Sequence, residues 1–599
     1  MPDPTILPTQ DRSHNKAKHH RDSSREVVET IVFVVVLVLL LKLFVTEAFV
    51  IPTGSMAETL YGYQKMVTCP KCGHEFPVNS HDEVEGRQQD GRRLPLYGYC
   101  CPNCRYLGLV NELNPPPRSN TGDRVLVLKP LYHLTNPTRG DVVVFKYPER
   151  PQDRHTAQNY IKRCMAFGGE TLAIYRGDLF VTTSLSYPED ALDELGQQLY
   201  PRPKNPSELW QPQYMYPNVN IPGHDVLGKN PRADALFAAA REAGFPNSSG
   251  GFSIVRKEED QLLADRRLVW DNDQQPQELA GKVPSRWYAP AKEVAAWKGD
   301  DPAQPRAFAH SGNDWNWIRY RHLAMPWRFS RDRDNRDTIP PIEVGTLANQ
   351  QPSYIDNFLG YNAGRDLDPT TGVVSMRDHS GADRHWVGDL ILECEVELMN
   401  GAEVTLELSK GINRFQAIFG NGRVRLVRIG AGAAEFGVPE RPCAVTNGRY
   451  KIRLANVDCR LWVWVDNTLI NFGNEGDYQP PTPQQEANFL DTQGKPDIHP
   501  DGWTDTNDVQ APASIGAKGQ VTVRKIRLDR DVYYTRTGTD PHKGDIFYVQ
   551  PGHYMCLGDN SAQSSDSRRW GTVPERLLLG KAVFVFWPAW PNNRIGFIH

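Results

Sequence analysis

The chain lacks any strong imbalance of charge: 68 Lys and Arg stand against 72 Asp and Glu, a net charge of −4 over 599 residues. That balance excludes a global nucleic-acid binder, which needs an excess of positive charge. The chain also lacks the dense cysteine pattern of a disulfide-stapled secreted scaffold. Four of its ten cysteines form two C-x-x-C pairs and the others are scattered. None of its 16 histidines sits in a recognisable triad context, so a serine hydrolase built on histidine has no visible base. Apolar runs of membrane length are scarce too, with a single one near the N-terminus. What remains is a length that suggests three or four domains. Aromatic content of 10 %, with 14 Trp, favours packed β structure, and 47 Pro with 48 Gly imply long irregular connections.

The apolar run is unbroken from Ile31 to Leu41; Lys42 interrupts it and Leu43-Phe44-Val45 resumes it. Counted from Val27 or Val28 to Val45, it predicts a helix that just crosses a bilayer, with Lys42 snorkelling to an interface. A cleaved signal peptide is the alternative, but no A-x-A-like site follows and the preceding tail is long for an n-region. The tail carries Arg12, Lys16, Lys18, Arg21 and Arg25 against the acids Asp3, Asp11, Asp22 and Glu26, a modest positive-inside signal. We read the N-terminus as cytoplasmic and the bulk of the chain as extracytoplasmic.

Beyond the anchor, Phe49 to Leu60 reads as a strand, a turn and a short helix. Asp123 to Lys129, Asp141 to Lys146 and Tyr160 to Phe167 are further strand candidates. A short helix is expected at Ala233 to Ala243. Period-two alternation then dominates: Leu390, Leu392, Cys394, Val396 and Leu398, then Val404, Leu406 and Leu408, then Tyr450, Ile452 and Leu454 before Leu461 to Val465. Asp466-Asn467 reads as a hairpin turn. Strands at this spacing predict an antiparallel β-sandwich, and the pattern resembles the concanavalin-like jelly rolls. Trp462 and Trp464 share one face, which suits either the core or a glycan platform; core is preferred.

A serine hydroxyl is a weak nucleophile unless a base removes its proton, and lysine can be that base only when neutral. Burial against apolar side chains lowers a lysine pKa by desolvating the ammonium. Ser55, in Pro52-Thr53-Gly54-Ser55-Met56 just after the apolar run, and Lys162, in Tyr160-Ile161-Lys162-Arg163, suggest such a pair. An isolated lysine would read as an ordinary exposed strand residue; the surrounding blocks overturn that. They are IPTGSMAETL (51–60), RGDVVVFKYPE (139–149), YIKRCMAFGGE (160–170) and GDNSAQSSDSRRWG (558–571), followed by RIGFIH at 594–599.

In that order after an anchor, these blocks resemble the type I signal peptidases, membrane-bound serine/lysine proteases of the S26 family that remove signal peptides. The resemblance covers about a third of the chain. It implies Ser55 as nucleophile, Lys162 as general base, and the Ser55 N–H with the Thr53 hydroxyl as oxyanion hole. Ser564 would orient the lysine, with Asp559, Asp566 and Arg568 as structural support. Phe49, Ile51, Met56, Leu60, Val144, Tyr160 and Ile161 would line shallow pockets for small P1 and P3 side chains of an extended substrate. Two departures predict different supporting contacts. Glu58 stands where a proline is usual, and Ser561-Ala562-Gln563 replaces the Arg and Asp that commonly follow the GDN block.

Cys69-Pro-Lys-Cys72 and Cys101-Pro-Asn-Cys104 have the spacing of two knuckles for tetrahedral zinc. Disulfides are the main alternative and redox exchange the next. Cys100 is adjacent, but the C-P-x-C form favours Cys101, and His74 is read as a bystander. Four protein ligands predict a closed structural zinc site, with no cofactor for catalysis.

The expected fold is mainly β: a signal-peptidase core split by a small zinc ribbon and a large insertion. The segments run 1–27 (tail), 28–46 (transmembrane anchor), 47–68 (core), 69–117 (zinc ribbon), 118–187 (core), 188–339 (irregular insertion), 340–530 (β-sandwich) and 531–599 (core). The expected activity is cleavage of signal peptides from exported preproteins after Ala-x-Ala-type sites, at the inner membrane. Expected partners are those preproteins and the lipid bilayer, with a glycan or protein for the sandwich and no nucleic acid. The runner-up is a membrane-tethered glycan-binding protein with a vestigial peptidase core. A third reading, a self-cleaving repressor sharing the core, is opposed by the anchor and the GDN block.

Overall fold

The computed structural model describes residues 23–86, 91–148, 158–185, 231–245, 251–323, 330–331, 337–338, 351–367, 374–376, 384–430, 432–493, 498–537, 545–588 and 594–599. Most of the expected tail and the 188–230 part of the irregular insertion lie outside these residues. The architecture is mainly β.

Ser23–Phe44 is one α-helix whose large apolar side chains are exposed from Val27 to Leu41. Charges at Arg25, Glu26, Glu29 and Lys42 bracket its apolar stretch, and among the described residues no helix is long and apolar enough to cross a membrane. The strand that follows is Thr46–Val50. Residues 53–60 are turns rather than the expected short helix. Ala57 N donates to Gly54 O and Leu60 N to Met56 O, and the next residues are drawn away when Tyr61 N bonds the Asp123 carboxylate instead.

Eight strands build the sheet that carries the Ser55 and Lys162 blocks. Their order is Thr46–Val50, Arg124–Leu128, Leu578–Trp587, Val142–Lys146, Asn159–Phe167, His553–Leu557 and Val573–Pro574, with Gly596–Phe597 attached to Leu578–Trp587. Neighbours are antiparallel. Val142–Lys146 is internal to this sheet, and Val142, Val143, Val144 and Phe145 are all buried, so both of its faces are covered. The same holds for Lys162 to Ala166 one strand further on. A smaller sheet pairs Thr171–Tyr175 with Asp178–Thr182 and Asp545–Tyr548.

A twelve-stranded antiparallel sheet forms most of the remainder. Its longest strand, Leu390–Lys410, pairs along one edge with Ala513–Arg530 and along the other with Gly448–Val457 and then Asn413–Gly420. The two apolar runs seen in the sequence are thus one strand, continuous through a register shift between Met399 and Glu403. All eight of those alternating side chains are buried. Asp466 and Asn467 both have positive φ, as a two-residue hairpin turn demands. Residues 251–323, for which the sequence suggested no fold, add strands to this sheet: Arg267–Asp271 and Phe308–Tyr320 pair with Ala513–Arg530. The expected helix is present at Pro231–Ala243.

The cysteine module packs into the same buried cluster as this sheet, and its strand Leu96–Cys100 pairs with Arg365–Leu367 of the insertion. Buried ion pairs tie the insertion to the smaller sheet and its neighbours. Lys257 Nζ bonds Asp531 at 2.6 Å and Asp458 at 3.1 Å, and Lys410 Nζ bonds Asp178 at 2.9 Å.

Candidate active site

Lys162 reaches Ser55 from the start of the buried stretch of its strand, Lys162 to Ala166. Its Nζ lies 2.7 Å from Ser55 Oγ and 2.8 Å from the carbonyl oxygen of Ile161. The lysine is 3 % exposed. Burial pulls its ammonium down from the ordinary 10.5 to about 8, outweighing the nearby Asp566 and Asp559 carboxylates, which act the other way. Tyr160, on the same strand face, presents its ring 5.4 Å from Nζ.

The Ser55 loop is closed by contacts from four parts of the chain. Ile51 N bonds Asp123 O, and Tyr63 N bonds Pro52 O. Arg594 donates to Thr59 O at 2.7 Å and to Asp123 Oδ2 at 2.9 Å. Asn560 donates from Nδ2 to Gly54 O at 2.8 Å and from its backbone N to Ser55 O at 3.1 Å. Thr53 is half-buried two residues before Ser55.

The expected supports come together as two buried ion pairs. Arg568 grips Asp566 with Nε at 2.8 Å and Nη2 at 2.7 Å, and the same carboxylate accepts from Gly558 N at 3.0 Å. Arg163, which the sequence analysis left without a role, holds Asp559 in the same bidentate manner. Ser564 is buried over Gly558; its Oγ makes no hydrogen bond of normal geometry, although it stands beside the Asp566 carboxylate.

Six of the seven expected pocket residues gather on one side of the sheet. Ile51, Met56, Leu60 and Val144 are fully buried in one apolar cluster, with Phe49 and Ile161 half-buried against it. Tyr160 is the exception. Strand alternation sends it to the opposite face, where it stacks on Tyr147 at 4.6 Å.

Both departures from the family pattern meet other parts of this chain. The Glu58 carboxylate faces Arg267 Nε at 3.8 Å, across to the inserted strand. Ser561 Oγ accepts from Arg568 Nη1 at 2.7 Å and from Thr535 N at 2.9 Å. Two insertion residues at the Ser55 loop carry no sequence signal of their own: Asn362, paired with Asn560, and Tyr361, packed on Gly54.

Cys69, Cys72, Cys101 and Cys104 converge so that their sulfurs all lie within 4.8 Å of one another. The Cys69–Cys104 and Cys72–Cys101 sulfurs are 3.7 and 3.6 Å apart. Four thiolates around a tetrahedral zinc, at Zn–S of about 2.3 Å, would be about 3.8 Å apart, so the donor set and its size fit that ion. Cys100 lies outside the cluster, and His74 bonds Gln274 Oε1 instead. Trp464 is 1 % exposed and donates to Glu259, with Trp462 stacked beside it, so Trp464 offers no open sugar platform.

Residues 109–222 and 505–587 match the sequence pattern of the family described as signal peptidase, peptidase S26. Signal peptidase I of Pseudomonas aeruginosa is 30 % identical over 106 residues, covering 14 % of this chain and 37 % of that protein. Mitochondrial inner membrane protease subunit 1 of Homo sapiens is 35 % identical over 90 residues, 15 % of this chain and 52 % of its own length. The chain therefore spans about half or less of these relatives. Among solved structures, a carbohydrate-binding module of Bacillus subtilis matches 41 % of this chain and 99 % of its own at 8 % identity, with a TM-score of 0.20. The family match and these relatives make signal peptidases the proteins this chain is similar to.

Proposed function

We propose that the protein is a membrane-associated serine endopeptidase that removes N-terminal signal peptides from exported preproteins after Ala-x-Ala-type sites. One observation carries the reading: the buried Lys162 amine, 2.7 Å from Ser55 Oγ, with its pKa drawn down to about 8. An amine so placed is partly neutral near neutral pH and can accept a proton.

In this mechanism Lys162 Nζ takes the hydroxyl proton as Ser55 Oγ bonds the scissile carbonyl carbon. The carbonyl oxygen gains the charge and is met by the Ser55 N–H and the Thr53 hydroxyl. As the C–N bond breaks, Lys162 returns the proton to the leaving amine, leaving an acyl ester on Ser55. Water, deprotonated by the same lysine, then hydrolyses that ester. Lys162 is oriented here by Ser55 Oγ and Ile161 O, and the lysine-orienting role the resemblance implies for Ser564 has no hydrogen bond to Nζ behind it, while Asp559, Asp566 and Arg568 support the loop. Phe49 and Ile161 supply the accessible apolar wall for small side chains.

The reading includes an anchor at Ser23–Phe44, supported by its exposed apolar side chains, with the catalytic part on the extracytoplasmic side of an inner membrane. The four cysteines would hold a structural zinc that stiffens the module and supplies no catalytic step. The segment boundaries are those given from the sequence, except that strands Arg267–Asp271 and Phe308–Tyr320 join the sheet of 340–530; that sheet is read as a concanavalin-like sandwich whose ligand, if it has one, is separate from the peptidase chemistry. The test is cleavage of an Ala-x-Ala precursor by the purified protein. Ser55→Ala and Lys162→Ala should each abolish it while the far-UV spectrum stays unchanged; full activity in either variant overturns the dyad.

A further inference from the structure

The turn Gly360–Asn362 belongs to the long insertion, yet it is buried against the Ser55 loop. Asn362 Nδ2 donates to Asn560 Oδ1 at 2.7 Å, and Asn560 Nδ2 donates back to Asn362 Oδ1 at 2.8 Å. The reciprocal pair fixes which way the Asn560 amide faces, since turning it over would set donor against donor. Both residues are at most 4 % exposed, so water is a poor substitute for either bond.

What Asn560 then holds is the peptide unit before the nucleophile. Its Nδ2 donates to Gly54 O, and a trans peptide points its carbonyl and the following N–H in opposite directions. Fixing Gly54 O therefore aims the Ser55 N–H. Asn560 N also holds Ser55 O, on the far side of the same residue. Tyr361 closes the arrangement from above: a Cβ at Gly54 would fall 2.2 Å from its Cε1, so the ring lies directly on the glycine.

The cysteine module backs this turn. Pro102, between Cys101 and Cys104, packs on Gly360, where an added Cβ would come within 2.9 Å of Pro102 Cδ. Arg105 stacks on the Phe358 ring at 3.8 Å and pairs with Asp356 at 3.6 Å.

We infer that Asn362 is a positioning residue supplied by the insertion, which locks Asn560 and through it directs the Ser55 N–H at the developing oxyanion. The inference rests on the peptidase reading. The insertion is then a working part of the site as well as a surface around it.

The experiment compares the wild-type full chain with Asn362→Ala by steady-state kinetics on an Ala-x-Ala peptide, by inhibition with a matching peptide aldehyde, and by hydrogen exchange. Loss of oxyanion alignment should lower kcat about 10- to 100-fold. KM should stay within about twofold, because ground-state contacts are untouched. Aldehyde affinity should fall in parallel with kcat/KM, and amide exchange should quicken over residues 52–60 alone. Unchanged kcat, a loss confined to KM, or unchanged exchange over 52–60 overturns the inference, as does protection lost throughout the chain. If the wild type cleaves nothing, the peptidase reading fails, and exchange over 52–60 alone decides whether Asn362 holds the loop.

Discussion

The Arg163 guanidinium holds the Asp559 carboxylate through two parallel hydrogen bonds of 2.9 and 2.6 Å, and neither side chain is exposed. Two further Arg163 bonds reach Gly140 O and His599 O, so one side chain joins a turn, the GDN block and the last residue. Removing the carboxylate leaves the buried cation with only the longer contact to Asp265, at 3.8 Å. Asp559→Ala should cost about 3–5 kcal/mol in denaturant unfolding. The pair also has a pH signature. Burial alone would raise the Asp559 pKa, but Arg163 holds it below the ordinary 3.8. The stabilisation it gives is therefore present above that value and lost as pH falls through the lower folded value.

Activity should follow the neutral form of Lys162. With its pKa at about 8, log kcat/KM should rise with pH and level off above about 8. A pH profile of the free enzyme checks this. A limb centred near about 6.5 would point to an imidazole base instead.

The lysine that serves the chemistry should burden the fold. Its folded pKa of about 8 lies below its ordinary 10.5, so below pH 8 the folded state carries a penalty that shrinks as pH rises from the lower value to the higher. Lys162→Met should be inactive yet more stable than the wild type at pH 7, by about 1–3 kcal/mol. Equal or lower stability by chemical denaturation would oppose the assignment of burial as the cause.

Metal analysis should find one zinc per chain bound by Cys69, Cys72, Cys101 and Cys104. Chelation should lower the melting temperature, because metal affinity is folding free energy in such modules. Immediate inhibition with the fold intact would contradict a closed structural site. Cys104→Ser should reproduce the chelated state.

The peptidase blocks were legible because each is short and its chemistry is local. Lys162 sits in an apolar strand whose alternation also announces its neighbours, and the C-P-x-C turns announce the cysteine cluster. Tyr160 shares the Lys162 face of its strand while Ile161 between them joins the apolar cluster on the other side, because strand geometry sends adjacent residues to opposite faces. Arg163 was visible as a charge inside an apolar strand, a signal that it needs a buried partner. Asn362 and Tyr361 had no such signal. An Asn and a Tyr in an irregular stretch acquire meaning only from what they touch.

The sequence by itself determined the chemical parts: a serine beside an apolar helix, a lysine in a strand that must be buried, four cysteines spaced for one ion, and the alternation of a large β insertion. These follow from periodicity and residue type, which local physics decides. Only the tertiary structure decided that Lys162 meets Ser55, that Glu58 faces Arg267, and that Asn362 braces Asn560 across 198 residues. Such contacts depend on how distant strands register against one another, and no window of sequence contains both partners.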